Sequence, residues 1–235
     1  MQYPTLSSAK AINFASTTPF SPYYDIVWSF DYAISGNENT EAGFTVFLSR
    51  GDTPLNGGSG GIDLGYSGLS SSFINRSYIK RGIIGAAIGV GFDTTGLFAA
   101  SAYDVAYKVR DGIDSSNVIK NSVTIRGLSP LYSYNQYSYH QALSDLNSTF
   151  SIVASAEIYK TVRVRLGNIG RTLYIDYRNN PEEEFQPILQ KEVNILVEKD
   201  LFYFPGISFV TPISSISPNS IGNIFVKNIH TEGGI

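Results

Sequence analysis

The sequence predicts an all-β protein, a single large antiparallel β-sandwich. At least ten segments show the alternation or the short apolar runs typical of strands. Turn signals such as Ser35-Gly36-Asn37 and Pro218-Asn219-Ser220 separate them, and no segment carries a helical apolar stripe longer than two turns. Neither a composition shift nor an internal repeat divides the 235 residues, and all-β sandwiches of this length commonly form one domain.

The predicted strands follow one another along most of the chain. In DIVWSFDYAIS, alternate side chains from Ile26 to Tyr32 would face one side of a sheet and those from Asp25 to Asp31 the other. AGFTVFLSR repeats this alternation, and IIGAAIGVGFD is an apolar run suited to a strand buried on both faces. The remaining predicted strands are SVTIRG, TFSIVASAEIY, TVRVRLGN, TLYIDYRN, EVNILVE, YFPGISFVT and NIFVKNIH.

A hairpin is predicted for TVRVRLGNIGRTLYIDYRN, with its turn at NIGR. Valine and leucine alternate with Arg163 and Arg165 in its first strand, so one face of the hairpin should be apolar and the other solvated. We expect the two arginines to lie on the solvated face rather than to bind an anion.

Composition excludes several classes of protein. Apolar residues make up 43% and charged residues 16%, which indicates a globular chain. A net charge of −3 gives no reason to expect nucleic acid as a partner, and the absence of cysteine excludes disulfides and thiolate metal sites. The most apolar segment, 82–90, is far shorter than the roughly 20 residues of a membrane helix, so no membrane insertion is expected. No secretory signal is recognised at the N-terminus, which predicts a cytoplasmic origin unless the numbering follows processing.

The glycine-rich stretch GDTPLNGGSGGIDLGYSG raises the question of a phosphate-binding loop. A Walker-type loop needs a lysine after its last glycine and a helix behind it, whereas Tyr66 follows Gly65 here. The segment GVGFDT lacks the third glycine of a dinucleotide fingerprint and opens no βαβ unit. Both phosphate-binding interpretations are therefore rejected.

The order of motifs resembles the legume-type lectins of the concanavalin A-like superfamily. EAGFTVFLSRGDTPLNGGSGGIDLGYSG and then IGVGFDTTG match that family's pattern of ADG, a phenylalanine-rich strand, a proline, a GG-LG loop and an EFDT strand. VRVRLGNIGRTLYIDY, PGISFVTPIS and GNIFVKNIHTEG resemble its later strands. The resemblance spans Tyr24 to Gly233. It implies a concanavalin A-like antiparallel β-sandwich (jelly roll) over residues 24–235, with residues 1–23 as an N-terminal extension.

Most of the residues with which this family binds sugar and metal are replaced. The resemblance places Ala42 where the family has the sugar-binding aspartate of ADG, and Gly91 where it has a metal-binding glutamate. Asp93 matches the aspartate of the EFDT strand. Asp93 can equally well cap the turn that follows its strand, since Asp-Thr pairs at strand ends often do so.

The remaining family ligands also fail to match. Without gaps, the family's asparagine, aspartate and histidine fall on Leu97, Ala102 and Tyr107, and only an insertion of two residues would bring Asp104 into the site. Calcium prefers six to eight oxygen ligands, so Asp93 alone cannot form the site. We therefore expect neither metal nor cofactor.

Two groups of residues remain candidates for contact with a glycan or a partner. The backbone amides of Gly60 and Gly61 could meet a sugar, although glycines there serve equally well to turn the chain. Tyrosine combines a flat apolar face with one hydroxyl, which suits sugar stacking or a protein interface as well as a loop packed over the sandwich. The candidates of this kind are Tyr66, Tyr132, Tyr134, Tyr137 and Tyr139.

An enzyme is not expected. Glucanases of the same superfamily use paired carboxylates, but here the acidic run Glu182-Glu183-Glu184 follows a turn and is typical of a solvated segment. His140 and His230, the two histidines, lie outside any nucleophile-elbow context, and His230 is expected to be a packed or edge residue of the last strand.

The sequence thus predicts a non-catalytic lectin-like module that binds other protein subunits of an assembly. A cysteine-free sandwich of lectin type resembles structural proteins of tailed phages, which implies a virion component. The alternative is a metal-independent lectin that binds surface glycans through Gly60, Gly61, Tyr66 and the tyrosine run. A glycoside hydrolase would need a carboxylate pair that the sequence does not offer. The oligomeric state is left open, with a homo-oligomer as one option.

Overall fold

The computed structural model describes the sandwich strands and part of their connections. In the residues it describes there are thirteen β-strands and no helix, hence no helix long and apolar enough to cross a membrane. The described residues are 11–34, 42–50, 64, 66, 69–70, 78–80, 83, 85–94, 98, 121–127, 141–142, 152, 158–193, 195, 201–210 and 224–233.

The strands are short to medium in length and all pair antiparallel. Their bounds are β1 Ala11–Ala15, β2 Ile26–Ile34, β3 Gly43–Arg50, β4 Leu69–Ser70, β5 Tyr78–Lys80, β6 Ala86–Asp93, β7 Ser122–Gly127, β8 Gln141–Ala142, β9 Lys160–Gly167, β10 Thr172–Arg178, β11 Gln186–Glu192, β12 Tyr203–Val210 and β13 Ile224–Glu232.

Two sheets form the sandwich. The six-stranded sheet has the order β1-β12-β3-β6-β7-β8, and the five-stranded sheet has the order β11-β10-β9-β2-β13. A separate ribbon consists of β4 and β5. The predicted all-β antiparallel sandwich is therefore confirmed.

An inner core fills the space between the two sheets. The alternation predicted for DIVWSFDYAIS is confirmed, because Ile26, Trp28, Phe30 and Tyr32 are each at most 1% exposed. From the six-stranded sheet, every second residue of β3 and β6 joins them, among them Phe44 and Phe92, which stack at 4.7 Å between ring centroids. Strand β6 is buried along its whole length, as predicted for the apolar run.

The part of the predicted N-terminal extension that the structure describes belongs to the sandwich. Strand β1 pairs with β12 from Ala11↔Val210 to Ala15↔Gly206 and forms an edge of the six-stranded sheet. Phe20 exchanges backbone hydrogen bonds with Tyr203 and packs in the inner core. The boundary at residue 23 therefore falls after segments that the sheet and the core already include.

One predicted strand is displaced along the chain. EVNILVE was expected to form a strand from residue 192, but β11 ends at Glu192 and takes up Gln186–Glu192 instead. Pro187 is tolerated there because β11 is an edge strand paired only with β10. Val193 and Ile195 lie outside any strand, and Ile195 is buried in the inner core, whereas residues 194 and 196–198 of the predicted strand lie outside the described residues. Of the predicted strand TFSIVASAEIY, only residues 152 and 158–159 lie within the described residues.

The predicted hairpin is confirmed as β9 and β10, paired from Thr172↔Gly167 to Arg178↔Thr161. Asn168, Ile169 and Gly170 adopt positive φ in its turn. Arg163 and Arg165 lie on the solvated face: Arg163 bonds Asp176 at 2.7 Å, and Arg165 covers the ring of Tyr174.

Candidate functional site

The positions highlighted by the resemblance meet at one end of the six-stranded sheet. There β3 begins, β6 ends and β7 begins, so that Gly43 pairs with Asp93 and Asp93 with Ser122. Ala42 directly precedes β3 and Thr94 directly follows β6. The sheet register therefore brings Ala42 and Asp93, which are far apart in sequence, to the same place.

Ala42 and Thr94 are joined by three hydrogen bonds. The Ala42 amide donates to the Thr94 hydroxyl at 2.9 Å, and that hydroxyl donates to the Ala42 carbonyl at 2.9 Å. The Thr94 amide also donates to the Ala42 carbonyl at 3.1 Å. Ala42 is 3% exposed. The position that would carry a sugar-binding aspartate thus carries a buried methyl group whose backbone is held by Thr94.

Asp93 closes the turn that follows β6. It is 2% exposed, and its Oδ2 accepts a hydrogen bond of 2.6 Å from the backbone amide of Phe98. This is the capping role predicted as one of the two interpretations of Asp93. A carboxylate so placed holds the connection after β6 in position. Contact between Asp93 and a glycan stays a prediction.

Phe98 belongs to an apolar cluster on the face of the six-stranded sheet that points away from the five-stranded sheet. We call this face the outer face and the cluster the outer cluster. Most of its members come from connections between strands, and only Phe47 and Ala86 lie in strands. The outer cluster consists of Phe47, Leu64, Tyr66, Ile83, Ala86 and Phe98.

Two glycines of β6 make room for this cluster. A Cβ atom at Gly89 would come within 2.5 Å of the Tyr66 ring, and one at Gly91 would overlap the Phe98 ring. The aromatic rings therefore lie directly on the strand backbone. The resemblance places Gly91 where the family has a metal-binding glutamate. In this structure the Phe98 ring packs against Gly91.

Arg126 is a fully buried cation beside the outer cluster. Its guanidinium lies 3.9 Å from the centroid of the Phe98 ring, and its Nη2 donates a hydrogen bond to the Phe98 carbonyl. Phe98 is consequently held from three sides, by Asp93, Gly91 and Arg126. No sequence motif marks Arg126, although strand alternation in SVTIRG places it on the face opposite Val123 and Ile125.

Tyr66, one of the predicted contact residues, is part of the outer cluster. It is 7% exposed, and its hydroxyl donates to the Arg126 carbonyl at 3.5 Å. Burial raises the pKa of the Tyr66 phenol well above its ordinary value. Little of this ring is available for stacking on a sugar in this arrangement, and its contact with a glycan stays a prediction.

The other predicted residues fall into two groups. His230 lies exposed on the edge strand β13, 3.4 Å from Glu232, which confirms its prediction as an edge residue. The acidic residues 182–184 are exposed, as expected. The remaining residues lie outside the described part: Gly60, Gly61, Leu97, Ala102, Asp104, Tyr107, Tyr132, Tyr134, Tyr137, Tyr139 and His140.

Carboxylates and histidines do not converge among the described residues. Within that part of the chain, no group of three or more His, Cys, Asp or Glu residues could hold a metal ion. Among the described residues, the neighbours of Asp93 in sequence and register include Thr94 and Ser122, which carry hydroxyls, and Gly43, which has no side chain. From the part of the chain that the structure describes, a divalent cation would find one carboxylate at this place instead of several.

Comparison with known proteins identifies the fold. No protein-family model and no curated protein matches the sequence. The seed lectin of Lotus tetragonolobus superposes with a TM-score of 0.55 and 13% identity, over 97% of this chain and 84% of the lectin. Lectin II from Ulex europaeus gives 0.52 and 12%, over 95% and 82%. The exoplasmic/lumenal domain of VIP36 in its Ca²⁺/Man3GlcNAc-bound form gives 0.51 and 10%, over 95% and 73%. The chain therefore has the legume-lectin type of concanavalin A-like fold, as the sequence motifs predicted.

Proposed function

We propose that this chain, which has a legume-lectin-type sandwich, is a non-catalytic recognition module that binds other protein subunits in an assembly. The observation that carries the proposal is that Ala42, Asp93 and Thr94 take part in internal hydrogen bonds. Where the family pattern puts sugar and metal ligands, this chain makes internal hydrogen bonds, from Ala42 to Thr94 and from Phe98 to Asp93. The chain has the fold of the legume-type lectins, and the hydrogen bonds of Ala42, Thr94 and Asp93 stabilise that fold.

The charge pattern supports the loss of a metal-dependent sugar site. The similar VIP36 structure is a form with bound Ca²⁺ and Man3GlcNAc. In the described part of this chain, by contrast, no cluster of acidic or histidine side chains could hold such an ion. Asp93 already accepts a hydrogen bond from a backbone amide. The lectin neighbours also support a binding function over catalysis.

A metal-independent lectin is the second candidate, because the similar structures include the seed lectin of Lotus tetragonolobus and lectin II from Ulex europaeus. In this case Gly60 and Gly61 would offer backbone amides, and the tyrosines between 132 and 139 would stack on sugar rings. Such a site would bind surface glycans equally well with and without a chelator.

Calorimetric titration with calcium and manganese, followed by a glycan array with and without chelator, tests both candidates. We expect no metal uptake and no saturable glycan binding from an assembly module. Glycan binding that survives the chelator and is lost in Tyr137→Ala or Tyr139→Ala, but not in the control Tyr23→Ala at an exposed position, would establish the lectin instead. Metal uptake with chelator-sensitive binding would contradict both candidates.

The assembly that the resemblance implies is the virion of a tailed phage. Purified particles from the source of this chain should contain it in a fixed ratio to other structural proteins, as peptide mass spectrometry can measure. A chain found only free in the cytoplasm, and missing from purified particles, would contradict this part of the proposal.

A further inference from the structure

Strand β13 forms one edge of the five-stranded sheet, and in the described part of the chain it pairs only with β2. Its other side presents backbone amides and carbonyls with which a strand of another molecule could pair. Phe225 is 43% exposed and Ile229 is 50% exposed, so both add apolar surface along this edge. An edge of this kind promotes association between copies unless a feature of the strand prevents it.

The pairing of β13 with β2 contains a β-bulge between Lys227 and His230. Asn228 and Ile229 lie in this interval of β13, whereas β2 contributes only Phe30 to it. A bulge of this kind places one extra residue in one strand, bends that strand and increases its local twist. Bulges are one of the means by which edge strands avoid pairing with other molecules.

Asn228 has the conformation of the extra residue. Its φ is 52°, in the left-handed region, which asparagine adopts more readily than most residues other than glycine. Its side-chain amide donates a hydrogen bond of 2.7 Å to Oδ2 of Asp31 on β2. Oδ1 of Asp31 in turn accepts a hydrogen bond of 2.7 Å from the Thr161 hydroxyl on β9. The bulge is therefore held by a side chain of β2 that is itself held by β9.

The bulge reverses the alternation of side chains along β13. Before it, odd-numbered residues lie on the solvated face of the five-stranded sheet, and beyond it even-numbered residues lie there. The inward positions change in the same way, since Val226 packs against the inner core, while Thr231 lines a cleft with Trp28 between the β13 and β1 edges. The residues on the solvated face are Phe225, Lys227, His230 and Glu232. A regular partner strand keeps one alternation along its length, so it can match only one half of β13.

Removal of Asn228 alone would restore a regular strand. Every pair with β2 from Ile224↔Ile34 to Glu232↔Val27 would be kept, and Ile229 would become the single partner of Phe30. Two such strands can pair antiparallel about a two-fold axis, with Lys227 of each copy opposite Glu232 of the other. Opposite charges at directly facing positions favour this pairing. The strand that would fit this edge is therefore β13 of a second copy.

We propose that the bulge at Asn228 prevents β13 from pairing with β13 of a second copy, and so keeps the five-stranded sheets of two copies from joining edge to edge. Asn228 supplies the left-handed conformation and Asp31 fixes it. This inference is independent of the proposed function, because β13 shares no residue with the site around Ala42 and Asp93.

Deletion of Asn228 tests this inference by sedimentation velocity. We expect the deletion variant to form particles of at least twice the wild-type mass, in a fraction that rises with protein concentration. Asn228→Gly is the matched control, because glycine keeps the left-handed bulge, and it should sediment as the wild-type chain does. Glu232→Lys in the deletion background places like charges opposite each other and should weaken the association about tenfold.

Hydrogen exchange of the wild-type chain gives a second measurement, which does not require the deletion variant to fold. The amides of β13 should exchange at rates that do not depend on protein concentration. Protection of these amides that grows with concentration would show that the bulge does not block pairing. The proposal is also overturned if the folded deletion variant keeps the wild-type mass, if Asn228→Gly associates equally strongly, or if Glu232→Lys leaves the association unchanged.

Discussion

The inner and outer faces of the six-stranded sheet are both buried, but by different means. On the inner face, large side chains such as Phe44 and Phe92 pack against the second sheet. On the outer face, Gly89 and Gly91 leave slots that Tyr66 and Phe98 fill from connections between strands. Thr45 and Thr124 are also fully buried there, as is the cation Arg126. Strands thus cover the first face, and connections cover much of the second.

The two faces of the six-stranded sheet differ in how far a substitution would disturb the sandwich. Inner-face contacts follow from strand alternation and sheet register, so a substitution there disturbs both sheets at once. Outer-face contacts depend on individual connections and on a few groups such as Asp93 that hold them. The loss of ligand chemistry at the end of β6, which is part of the proposed function, is therefore compatible with an intact sandwich.

The largest effect is expected on the inner face. Phe44 contacts the rings of Phe30, Tyr32 and Phe92 at centroid distances of 4.7–5.3 Å. Phe44→Ala should lower the free energy of unfolding by about 3–5 kcal/mol, because it removes buried surface and leaves a cavity. Urea denaturation measures this loss, with Phe225→Ala on exposed β13 as the control. Similar losses for the two variants would contradict the packing described for Phe44.

A smaller effect is expected where Phe98 meets Gly91. Gly91→Ala should lower the free energy of unfolding by about 1–3 kcal/mol, because the new methyl group overlaps a ring that cannot easily move. Repeating the substitution in a Phe98→Ala background should abolish most of this cost. Gly167→Ala serves as the control, since its methyl group would meet the exposed carboxylate of Asp25 instead. Additive losses in the double variant would show that Gly91 and Phe98 are not coupled.

A substitution of Asp93 tests whether its carboxylate has a structural role or binds a metal ion. Asp93→Asn keeps an acceptor for the Phe98 amide but removes its charge, so a loss of about 1 kcal/mol in unfolding free energy is expected. Calcium should leave the melting temperature of the wild-type chain unchanged. If calcium raises that temperature and Asp93→Asn removes the rise, Asp93 is a metal ligand and the structural assignment fails.

The smallest effect at neutral pH is expected at Tyr66. Burial raises the pKa of its phenol above the ordinary value of 10.0, so the unfolded chain releases this proton at lower pH than the folded one. The contribution to stability is present below about pH 10 and is lost as pH rises further, by at most about 1.4 kcal/mol per pH unit. Tyr66→Phe should reduce this alkaline loss, as measured by urea denaturation from about pH 8 to about pH 11. An unchanged pH profile would contradict the burial of Tyr66.

Particular segments show which strands can be predicted from the sequence alone. Strands β2, β3, β6, β9 and β10 were predictable because their apolar positions alternate or run together, and their burial follows that pattern. β11 was misplaced because an edge strand needs only one apolar face, and because Ile195, an apolar residue that follows it, is buried in the inner core without belonging to a strand. β1 was missed because its pairing with β12 joins opposite ends of the chain, which no local pattern records.

The sequence by itself determined the sandwich and the hairpin turn at NIGR, and it determined that Ala42 and Gly91 stand where the resemblance would place ligands, since these depend on local periodicity and on residue identity. Only the tertiary structure decided that Asp93 closes the turn to Phe98, that Arg126 is buried against that ring, and that Trp28 lines a cleft between two sheet edges. Each of these contacts joins residues from different strands or connections. Such contacts depend on register and on loop paths that side-chain periodicity does not specify.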